Sequence, residues 1–430
     1  MRSGSFAQRM AVRGALPRLT AGVSETIGIG FLAPLSGPVQ SWGLPGLNGC
    51  QIWTENINRA GGLLIGGGRH PLRLVPFDCR YDAGLAREGV RKLVQDSEVQ
   101  ILLTLGGDIL PPDIAYLTDR KLLTATLPPS DLSPDTPYLS APSETHPVYT
   151  VTGIDWLART RPGLTRIALC AQTDALGLPS LATYRAACAA AGIEVVREIR
   201  YDPQSRDAEA IVGAMMADGP DILCWCTSHT PMVHALTEAA HAAGFTGQLL
   251  SCTLDDYPRL IARTSAAFME GFVFQFPDFD DPALTEKAFF FNRPKDFYDE
   301  YQRRFPGSWT AVSWEYAAIL DIWRAAVEHA GSVASLSVLA AMKQSGAVMH
   351  AFGPATWWGA EILGIDNALI GDWPVVQIQD GKARIVAFGS IPDWLDRHGA
   401  LLKAQMVELG QMWDQRQVRP HRNRPSLDRA

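Results

Sequence analysis

The chain has 430 residues, of which 47% are hydrophobic and 19% are charged, so its composition is that of a globular protein and its length exceeds one average domain. A formal net charge of -7 without a long basic stretch argues against nucleic acid as the main partner. The sequence holds no run of about 18 apolar residues and so predicts no membrane-spanning helix. We therefore expect two globular lobes.

The two ends of the chain differ in character from the rest. Residues 1–25 carry arginines and no acid before Glu25, but they lack the apolar core of about 7–15 residues that a secretory leader needs. They are predicted to be disordered or to form a poor leader, and residues 419–430 are predicted to be a disordered tail. The start of the chain therefore does not decide between export and an intracellular location.

Strands alternate with amphipathic helices through the first two thirds of the chain, a pattern typical of parallel sheets covered by helices. The predicted strands are Thr26–Phe31, Leu72–Cys79, Ile101–Leu105, Leu122–Ala125, Arg166–Cys170, Glu194–Arg200, Ile222–Cys226 and Gln248–Ser251. The helices predicted between them include Ala83–Asp96, Pro179–Ala191, Asp207–Ala217 and Pro231–Ala243.

The regular alternation ends after Phe276, where the sequence predicts a long irregular connection. Helices are predicted near 295–305 and 310–330, followed by strands Trp373–Ile378 and Ala383–Val386 with Asp380-Gly381 as the hairpin turn. A last helix, Pro392–Arg416, carries leucine, methionine and tryptophan on one face.

Three loops that follow predicted strands carry groups suited to a small ligand, because α/β proteins bind ligands at the carboxyl ends of their strands. Trp42 places a large aromatic ring after the first strand. Gly107 offers a backbone N–H group to a ligand oxygen, and Asp108 belongs either to the site or to a helix cap. Ser130, in a proline-fixed loop, offers a hydroxyl group.

Neither a metal site nor a catalytic site is predicted. Seven irregularly spaced cysteines favour free buried thiols over a disulfide framework. His234, Glu238 and His241 share one face of a predicted helix, where a metal could bind, but a solvated surface is favoured because no further ligand is near. The sequence lacks a nucleophile elbow, a zinc-protease motif, a P-loop and a dinucleotide fingerprint, so an enzyme is the least favoured reading and no cofactor is predicted.

Several segments, in this order, resemble the type I periplasmic solute-binding proteins of the leucine/isoleucine/valine-binding family of ABC transporters. The resemblance covers roughly residues 26 to 390 and is carried by "PLSGPVQSWG", "ENINRAGG", "LVPFDCRYDAGLAREGVRKLV", the Gly106–Pro112 loop, "MEGFVF" and "WPVVQIQDGKARIV". It implies an α/β fold of two doubly wound parallel-sheet lobes, joined by three crossover segments, with a ligand cleft between them.

The resemblance also implies the division of the chain. Lobe 1 is expected to comprise 26–140 and 277–351, lobe 2 to comprise 141–276 and 352–390, and a C-terminal helix to cover 391–418. The crossovers are expected near Tyr138–Ser143, Phe274–Asp278 and Phe352–Trp358.

Transferring the family's binding positions to lobe 1 implies that Trp42 packs on the apolar part of the ligand. A serine that holds the ligand carboxylate falls on Gly107, which keeps the backbone donor and loses the hydroxyl group, and a threonine falls on Ser130. A cysteine pair that forms a disulfide in some members falls on Tyr81 and Gly106, so that bridge is absent.

On lobe 2 the family's two tyrosines fall near Leu176 and His229, and the glutamate that neutralises the ligand's ammonium group falls near Thr253. A buried ammonium group without an acidic partner costs several kcal/mol, so free leucine, isoleucine and valine are expected to bind poorly. Asp255 and Asp256 lie close enough in sequence to replace that glutamate, which keeps an amine-bearing ligand open.

The resemblance implies a monomeric substrate-binding protein of an ABC importer that captures a carboxylate or amide with an apolar or aromatic body by lobe closure. Its expected partners are this ligand and an ABC permease complex, with neither nucleic acid nor insertion into the membrane. The family places such a protein in the periplasm. The alternative is a cytoplasmic ligand sensor on the same fold, similar to the amide-sensing regulators.

Overall fold

The computed structural model describes residues 25–143, 146–285, 293–344 and 348–416. The predictions for residues 1–24 and for the tail 419–430 lie outside the described residues. Two α/β lobes make up the described part of the chain. No single described helix has the length and apolar character needed to cross a bilayer, although Val312–Ala330 and Ser335–Gln344 meet those criteria as a pair bent by 99°.

Most strands are short and lie close to their predicted positions. The strands are β1 Ile27–Ala33, β2 Leu63–Ile65, β3 Gly68–His70, β4 Leu72–Asp78, β5 Val99–Thr104, β6 Leu123–Thr126, β7 Leu139–Ser140, β8 Arg166–Gln172, β9 Glu194–Tyr201, β10 Ile222–Cys224, β11 Gln248–Leu250, β12 Val273–Phe274, β13 Val348–His350, β14 Gly353–Trp358, β15 Ala368–Gln379 and β16 Lys382–Ser390.

The helices cover both faces of these sheets. They are α1 Leu44–Arg59, α2 Ala83–Gln95, α3 Ile114–Asp119, α4 Val151–Thr160, α5 Gly177–Ala191, α6 Ala208–Met216, α7 Thr230–Ala242, α8 Tyr257–Arg263, α9 Ala266–Met269, α10 Pro294–Arg304, α11 Val312–Ala330, α12 Ser335–Gln344, α13 Ala360–Leu363 and α14 Ile391–Glu408.

Lobe 1 is built on a parallel sheet in the order β4-β1-β5-β6-β7. Every residue of β1 is buried, as expected for a strand with a neighbour on each edge and helices on both faces. In the register of the sheet, Ile29 lies between Leu74 of β4 and Ile101 of β5. Helix α11 packs against α1 and so belongs to this lobe.

Lobe 2 is built on a mixed sheet in the order β13-β14-β15-β12-β11-β10-β8-β9, with β16 paired to β15. Strands β8 to β12 run parallel to one another, whereas β12 to β16 pair in antiparallel fashion. The predicted hairpin at Asp380-Gly381 is confirmed, with strands longer than predicted. A bridge between Ala141 and Ala368 links the chain after β7 to the start of β15. The residues at which the chain passes between the lobes stay a prediction.

The C-terminal helix is shorter than predicted. Helix α14 begins at Ile391, where the Ser390 hydroxyl group accepts the N–H of Asp393, and it ends at Glu408 rather than continuing to Arg416 or to residue 418. It ends there because Gly410 adopts a left-handed conformation with a φ of 67°, which an α-helix cannot continue through. Residues 409–416 instead turn back, and the N–H of Trp413 donates to the carbonyl of Ile362.

Candidate functional site

A cavity lies between the two lobes at the carboxyl ends of strands from both sheets. Its volume is about 380 Å³ when the part open to solvent is included, and we call it the main cavity. The residues that line it are Trp42, Leu105, Leu127, Pro128, His146, Tyr149, Leu176, Thr227, Cys252, Thr253, Phe276, Ala311, Val312 and Glu315. Loops after parallel strands therefore converge here, which is where α/β proteins bind their ligands.

The walls of the main cavity are largely apolar and aromatic. Trp42 and Leu176, from opposite lobes, are 5% and 3% exposed. Tyr149 stacks on Trp373 with ring centroids 5.0 Å apart and meets Phe276 edge-to-face at 5.1 Å. Such packed rings lose little freedom when a ligand binds, so this wall is suited to a flat apolar group.

A few polar groups interrupt the apolar lining. His146 Nε2 lies 2.8 Å from Thr227 Oγ1, and Tyr149 OH lies 2.9 Å from Cys252 Sγ. Burial lowers the pKa of His146 to about 3, so its imidazole is neutral near pH 7. Glu315, from α11, is only 1% exposed and also lines the cavity. The apolar walls thus carry hydrogen-bonding groups at a few fixed points.

Asp255 joins the two lobes beside the main cavity. Its Oδ2 accepts the indole N–H of Trp42 at 3.1 Å and the hydroxyl group of Thr230 at 3.0 Å, and its Oδ1 accepts the N–H of Ala311 at 3.1 Å. Burial raises the pKa of Asp255, and these donors oppose that shift. We call this group the Asp255 latch. Because its donors occupy both carboxylate oxygens, the acid proposed to replace the family's glutamate serves contacts within the protein.

His229 lies behind Trp42 rather than in the lining of the main cavity. Its ring meets Trp42 at 5.3 Å and Tyr81 at 5.9 Å, and its backbone N–H donates to Gln172. Burial, together with the charge of Arg206, lowers the pKa of His229 to about 4. Its Nε2 is buried and has no hydrogen-bond partner among the described residues.

The predicted carboxylate donor at Gly107 is used within the protein. Its N–H donates to Oδ2 of Asp131 at 3.2 Å. A side chain at Gly107 would meet the Tyr81 hydroxyl group at 2.9 Å and Leu176 at 3.4 Å, and its φ of 69° favours glycine. Asp108 is exposed and lies inside a short 3-10 helix, Gly107–Ile109, so its role in the site or as a helix cap stays a prediction.

Ser130 lines a second cavity, which we call the Arg416 cavity. Its walls are Pro128, Pro129, Ser130, His146, Pro147, Val148, Ala175, Pro179, Trp358, Ile362, Leu363, Met406, Gln411 and Arg416. Pro128 and His146 line both cavities, so the two adjoin. The hydroxyl oxygen of Ser130 is buried and has no partner among the described residues.

The eight predicted site residues therefore do not lie together in one cavity. Trp42, Leu176 and Thr253 line the main cavity, Asp255 and His229 contact Trp42, and Ser130 lines the adjoining cavity. Gly107 and Asp108 line neither cavity. A ligand contact by any of the eight stays a prediction.

Sequence reasoning missed several lining residues. Thr227 directly follows the predicted strand Ile222–Cys226, so the rule that found Trp42 would also have found it. Phe276 follows β12, a strand that the sequence did not predict. Glu315 gave a weaker signal as an acid in the apolar stretch "SWEYAAILDIW". His146 and Tyr149 had no local signal, because only the folded chain brings them to the strand ends.

The other side-chain predictions had mixed outcomes. All seven cysteines are free and buried. Among the described residues, no group of three or more His, Cys, Asp or Glu side chains is placed to hold a metal ion. The solvated surface expected for the α7 face is wrong for His234, because this residue is 7% exposed and its Nε2 lies 2.8 Å from the Asp255 carbonyl oxygen. Glu238 on the same helix pairs with Arg263.

Comparison with known proteins agrees with the two-lobe architecture. The sequence matches the periplasmic binding protein family over residues 26–383. No curated protein matches the chain. Many solved structures do, among them two that hold aromatic acids and one leucine-binding protein.

The first is a solute-binding protein of an ABC transporter from R. palustris in complex with 4-hydroxybenzoate, with 19% identity, 86% of this chain and 99% of that chain covered, and a TM-score of 0.71. A second from R. palustris, in complex with benzoate, has 16% identity, coverage of 85% and 96%, and a TM-score of 0.68. A leucine-binding protein from Thermotoga maritima has 18% identity, coverage of 85% and 99%, and a TM-score of 0.67. At these identities the likeness concerns the fold.

Proposed function

The chain belongs to the periplasmic binding protein family, and from this premise we propose that it is the solute-binding component of an ABC importer. Its ligand is a small carboxylate or amide with an apolar or aromatic body. The ligand is captured in the periplasm by closure of the two lobes, and the closed protein is then recognised by a permease complex.

One observation carries this proposal. The main cavity takes walls from both lobes, with Trp42 and Val312 on one side and Leu176, Thr253 and Phe276 on the other. A ligand seated there contacts both lobes only when they are together. Its binding energy therefore favours the closed arrangement, which is the thermodynamic requirement for a ligand to drive closure.

The chemistry of the walls supports an apolar or aromatic body. Trp42 provides a flat indole surface, Tyr149 and Phe276 add packed rings, and Leu176 stands near the position of a family tyrosine. Two of the similar solved structures hold 4-hydroxybenzoate and benzoate, which are compact aromatic carboxylates. These features favour an aromatic acid over a branched amino acid.

Glu315 is the acidic residue in the cavity lining that a donor group of the ligand could contact. Its carboxylate lines the main cavity from α11 and can accept a hydrogen bond from an ammonium, amide or hydroxyl group. Thr253, at the family's acidic position, offers a hydroxyl group and no charge. A ligand with a hydroxyl or amide donor satisfies this arrangement without burying an ammonium group.

Calorimetric titration of the purified full chain tests the proposal. The panel is leucine, its deaminated analogue 4-methyl-2-oxopentanoate, benzoate and 4-hydroxybenzoate. We expect an aromatic acid to bind at micromolar concentration or below and leucine to bind about a hundredfold more weakly, because taking its ammonium group out of water costs several kcal/mol even with Glu315 in the lining. Micromolar leucine binding with no binding of the other three compounds would contradict the proposed ligand class.

A Trp42→Ala variant supplies a control for the location of binding. It removes the aromatic wall and the indole donor of the Asp255 latch, so the affinity for the best ligand is expected to fall at least tenfold. Trp156→Ala is the matched variant, since Trp156 of α4 is a half-buried tryptophan that lines neither cavity. Equal losses in both variants would place the ligand outside the main cavity.

A further inference from the structure

The Arg416 cavity contains a positive charge that comes from the end of the described chain. After α14 ends, residues 409–416 turn back, and the N–H of Arg416 donates to the carbonyl of Met412. This turn directs the Arg416 side chain into the cavity beside Ser130 and His146. Among the described residues that line the two cavities, Arg416 is the one that carries a permanent positive charge.

The guanidinium group of Arg416 has donors that the protein leaves unused. Its Nε and Nη2 atoms are buried and have no hydrogen-bond partner among the described residues. Asp131 is near enough for its charge to oppose the lowering of the Arg416 pKa by burial, yet among the described residues it forms no hydrogen bond with Nε or Nη2 of Arg416. Buried guanidinium donors without an acceptor are costly, so this group favours an anion in the cavity.

Two neutral donors accompany the charge. The buried Ser130 hydroxyl group and the Nδ1 atom of His146 also have no partner among the described residues. In the tautomer with hydrogen on Nδ1, His146 accepts the Thr227 hydroxyl group at Nε2 and presents an N–H donor at Nδ1. Arg416, Ser130 and His146 thus line one space of about 360 Å³ with donors and a positive charge.

We propose that Arg416, Ser130 and His146 form a subsite for the carboxylate of the ligand, and that the ligand's apolar body extends past Pro128 and His146 into the main cavity. This inference rests on the proposed function and narrows its ligand class from carboxylates and amides to carboxylates. Arg416 holds the carboxylate through its planar donor pair, and the Ser130 hydroxyl group adds a further donor. The backbone donor of Gly107, which Asp131 occupies, is not needed.

The first test compares benzoate with benzamide, its uncharged analogue, by calorimetric titration of wild type, Arg416→Gln and Arg416→Lys. Benzoate affinity is expected to fall about 10- to 100-fold in Arg416→Gln, whereas benzamide affinity changes less than about threefold. Arg416→Lys is expected to lie between, because an ammonium group lacks the planar donor pair. The control is Arg397→Gln, which removes an exposed arginine of α14.

Benzoate affinity that is unchanged in Arg416→Gln, or that falls equally with benzamide affinity, overturns the subsite. A second measurement separates this failure from failure of the proposed function. Should no compound of the panel bind wild type, thermal unfolding with sodium formate against sodium chloride at equal ionic strength decides the matter. Stabilisation by formate in wild type but not in Arg416→Gln supports the subsite even then, and equal responses of the two proteins overturn it.

Discussion

At the scale of single residues, Glu315 combines deep burial with a place in the lining of the main cavity. Thr253, onto which the family resemblance transfers an acidic position, lines the same cavity without a charge. The Glu315 carboxylate can form an ion pair with an amine or accept a hydrogen bond from a neutral donor. Removing the charge of Glu315 weakens the ion pair more than it weakens the hydrogen bond from a neutral donor.

We predict that Glu315→Gln separates these uses. An uncharged amide still accepts a hydrogen bond, so the affinity for 4-hydroxybenzoate is expected to change less than about fivefold. Any residual leucine affinity is expected to fall at least tenfold, because the ammonium group loses its only nearby counter-charge among the residues that line the cavity. Calorimetric titration of wild type and variant with both ligands measures the two losses of affinity. A larger loss for 4-hydroxybenzoate than for leucine would contradict the role assigned to Glu315.

Asp131 gives the protein a specific dependence of stability on pH. Burial raises its pKa to about 7, and the charge of Arg416 and the N–H of Gly107 limit that rise. A folded-state pKa above the unfolded value of about 3.9 gives a stabilising contribution that is complete below pH 3.9 and is lost as the pH rises through 7. The carboxylate is therefore least favourable to folding at alkaline pH.

We predict that Asp131→Asn becomes more stable relative to wild type as the pH rises from 4 to 8. The expected gain is about 1 to 2 kcal/mol in the difference of unfolding free energies, less than the full shift implies because the side chain is partly exposed. Urea unfolding at both pH values measures it. Asp135→Asn changes an exposed neighbour and serves as the control. A difference that does not vary with pH would contradict the assigned shift.

At the scale of secondary-structure elements, α14 is held by one apolar face. It packs against α5 and β15, and Ile391, Trp394, Leu402 and Met406 are buried in that contact. The spacing of these side chains already predicted a helix with leucine, methionine and tryptophan on one side. Adjacent residues of α14 therefore differ in how deeply their side chains are buried.

We predict that two neighbouring leucines of α14 respond differently to truncation. Leu402 is 0% exposed and Leu401 is 37% exposed. Leu402→Ala is expected to lower the free energy of unfolding by about 2 to 5 kcal/mol, because it leaves a cavity in the contact with α5. Leu401→Ala is expected to change it by less than about 1 kcal/mol. Chemical denaturation of both variants measures the contrast, and similar losses would show that α14 packs in another way.

The sequence predicted elements well where the signal was local. Alternating strands and helices, the Asp380-Gly381 turn and the position of Trp42 all follow from patterns within a few residues. Gly107 shows the limit of that reasoning. Its free N–H was correctly placed after a strand, but Asp131, from the loop after the next strand, accepts it in the folded protein. Competition between distant groups for one donor has no local signature.

Local sequence patterns also failed to predict where α14 ends and which site residues come from distant parts of the sequence. The apolar face of α14 was predicted, yet Gly410 ends the helix before Arg416. The turn that results brings Arg416 to the loop of Ser130, far away in the sequence. A predicted helix through Arg416 would have directed this side chain elsewhere, so the Arg416 cavity could not be predicted.

At the scale of the whole molecule, the two lobes meet through loops that follow strands of both sheets. Besides the Asp255 latch, Ser41 Oγ lies 2.8 Å from Thr230 Oγ1 of the other lobe. Within lobe 1, the Thr310 hydroxyl group donates to the carbonyl of Ser41 at 2.9 Å. In the latch, the Asp255 carboxylate accepts two donors from the other lobe, Trp42 and Ala311, and hydrogen bonds to charged groups contribute about 1.5 to 3 kcal/mol each. The latch thus favours the closed arrangement.

We predict that Asp255→Asn weakens closure and ligand binding together. The substitution replaces one acceptor oxygen with an amide donor that faces other donors, so ligand affinity is expected to fall about 10- to 100-fold. X-ray scattering is expected to show contraction of wild type by saturating ligand and less contraction of the variant. Asp256→Asn is the control, because it retains a residue that tolerates the left-handed conformation at φ 52°. An unchanged wild-type scattering curve would contradict closure.

If the protein serves an importer as proposed, the Asp255 latch has a consequence for the rate of import. All of its contacts are made by protein groups, so the closed shape is also accessible to molecules that carry no cargo. A permease that recognises only the closed outline would dock these empty molecules as well, and each futile docking would occupy a translocation site. The ratio of loaded to empty molecules, rather than the amount of loaded protein, would then set the flux. Overproduction of the binding protein would slow uptake when the solute is scarce.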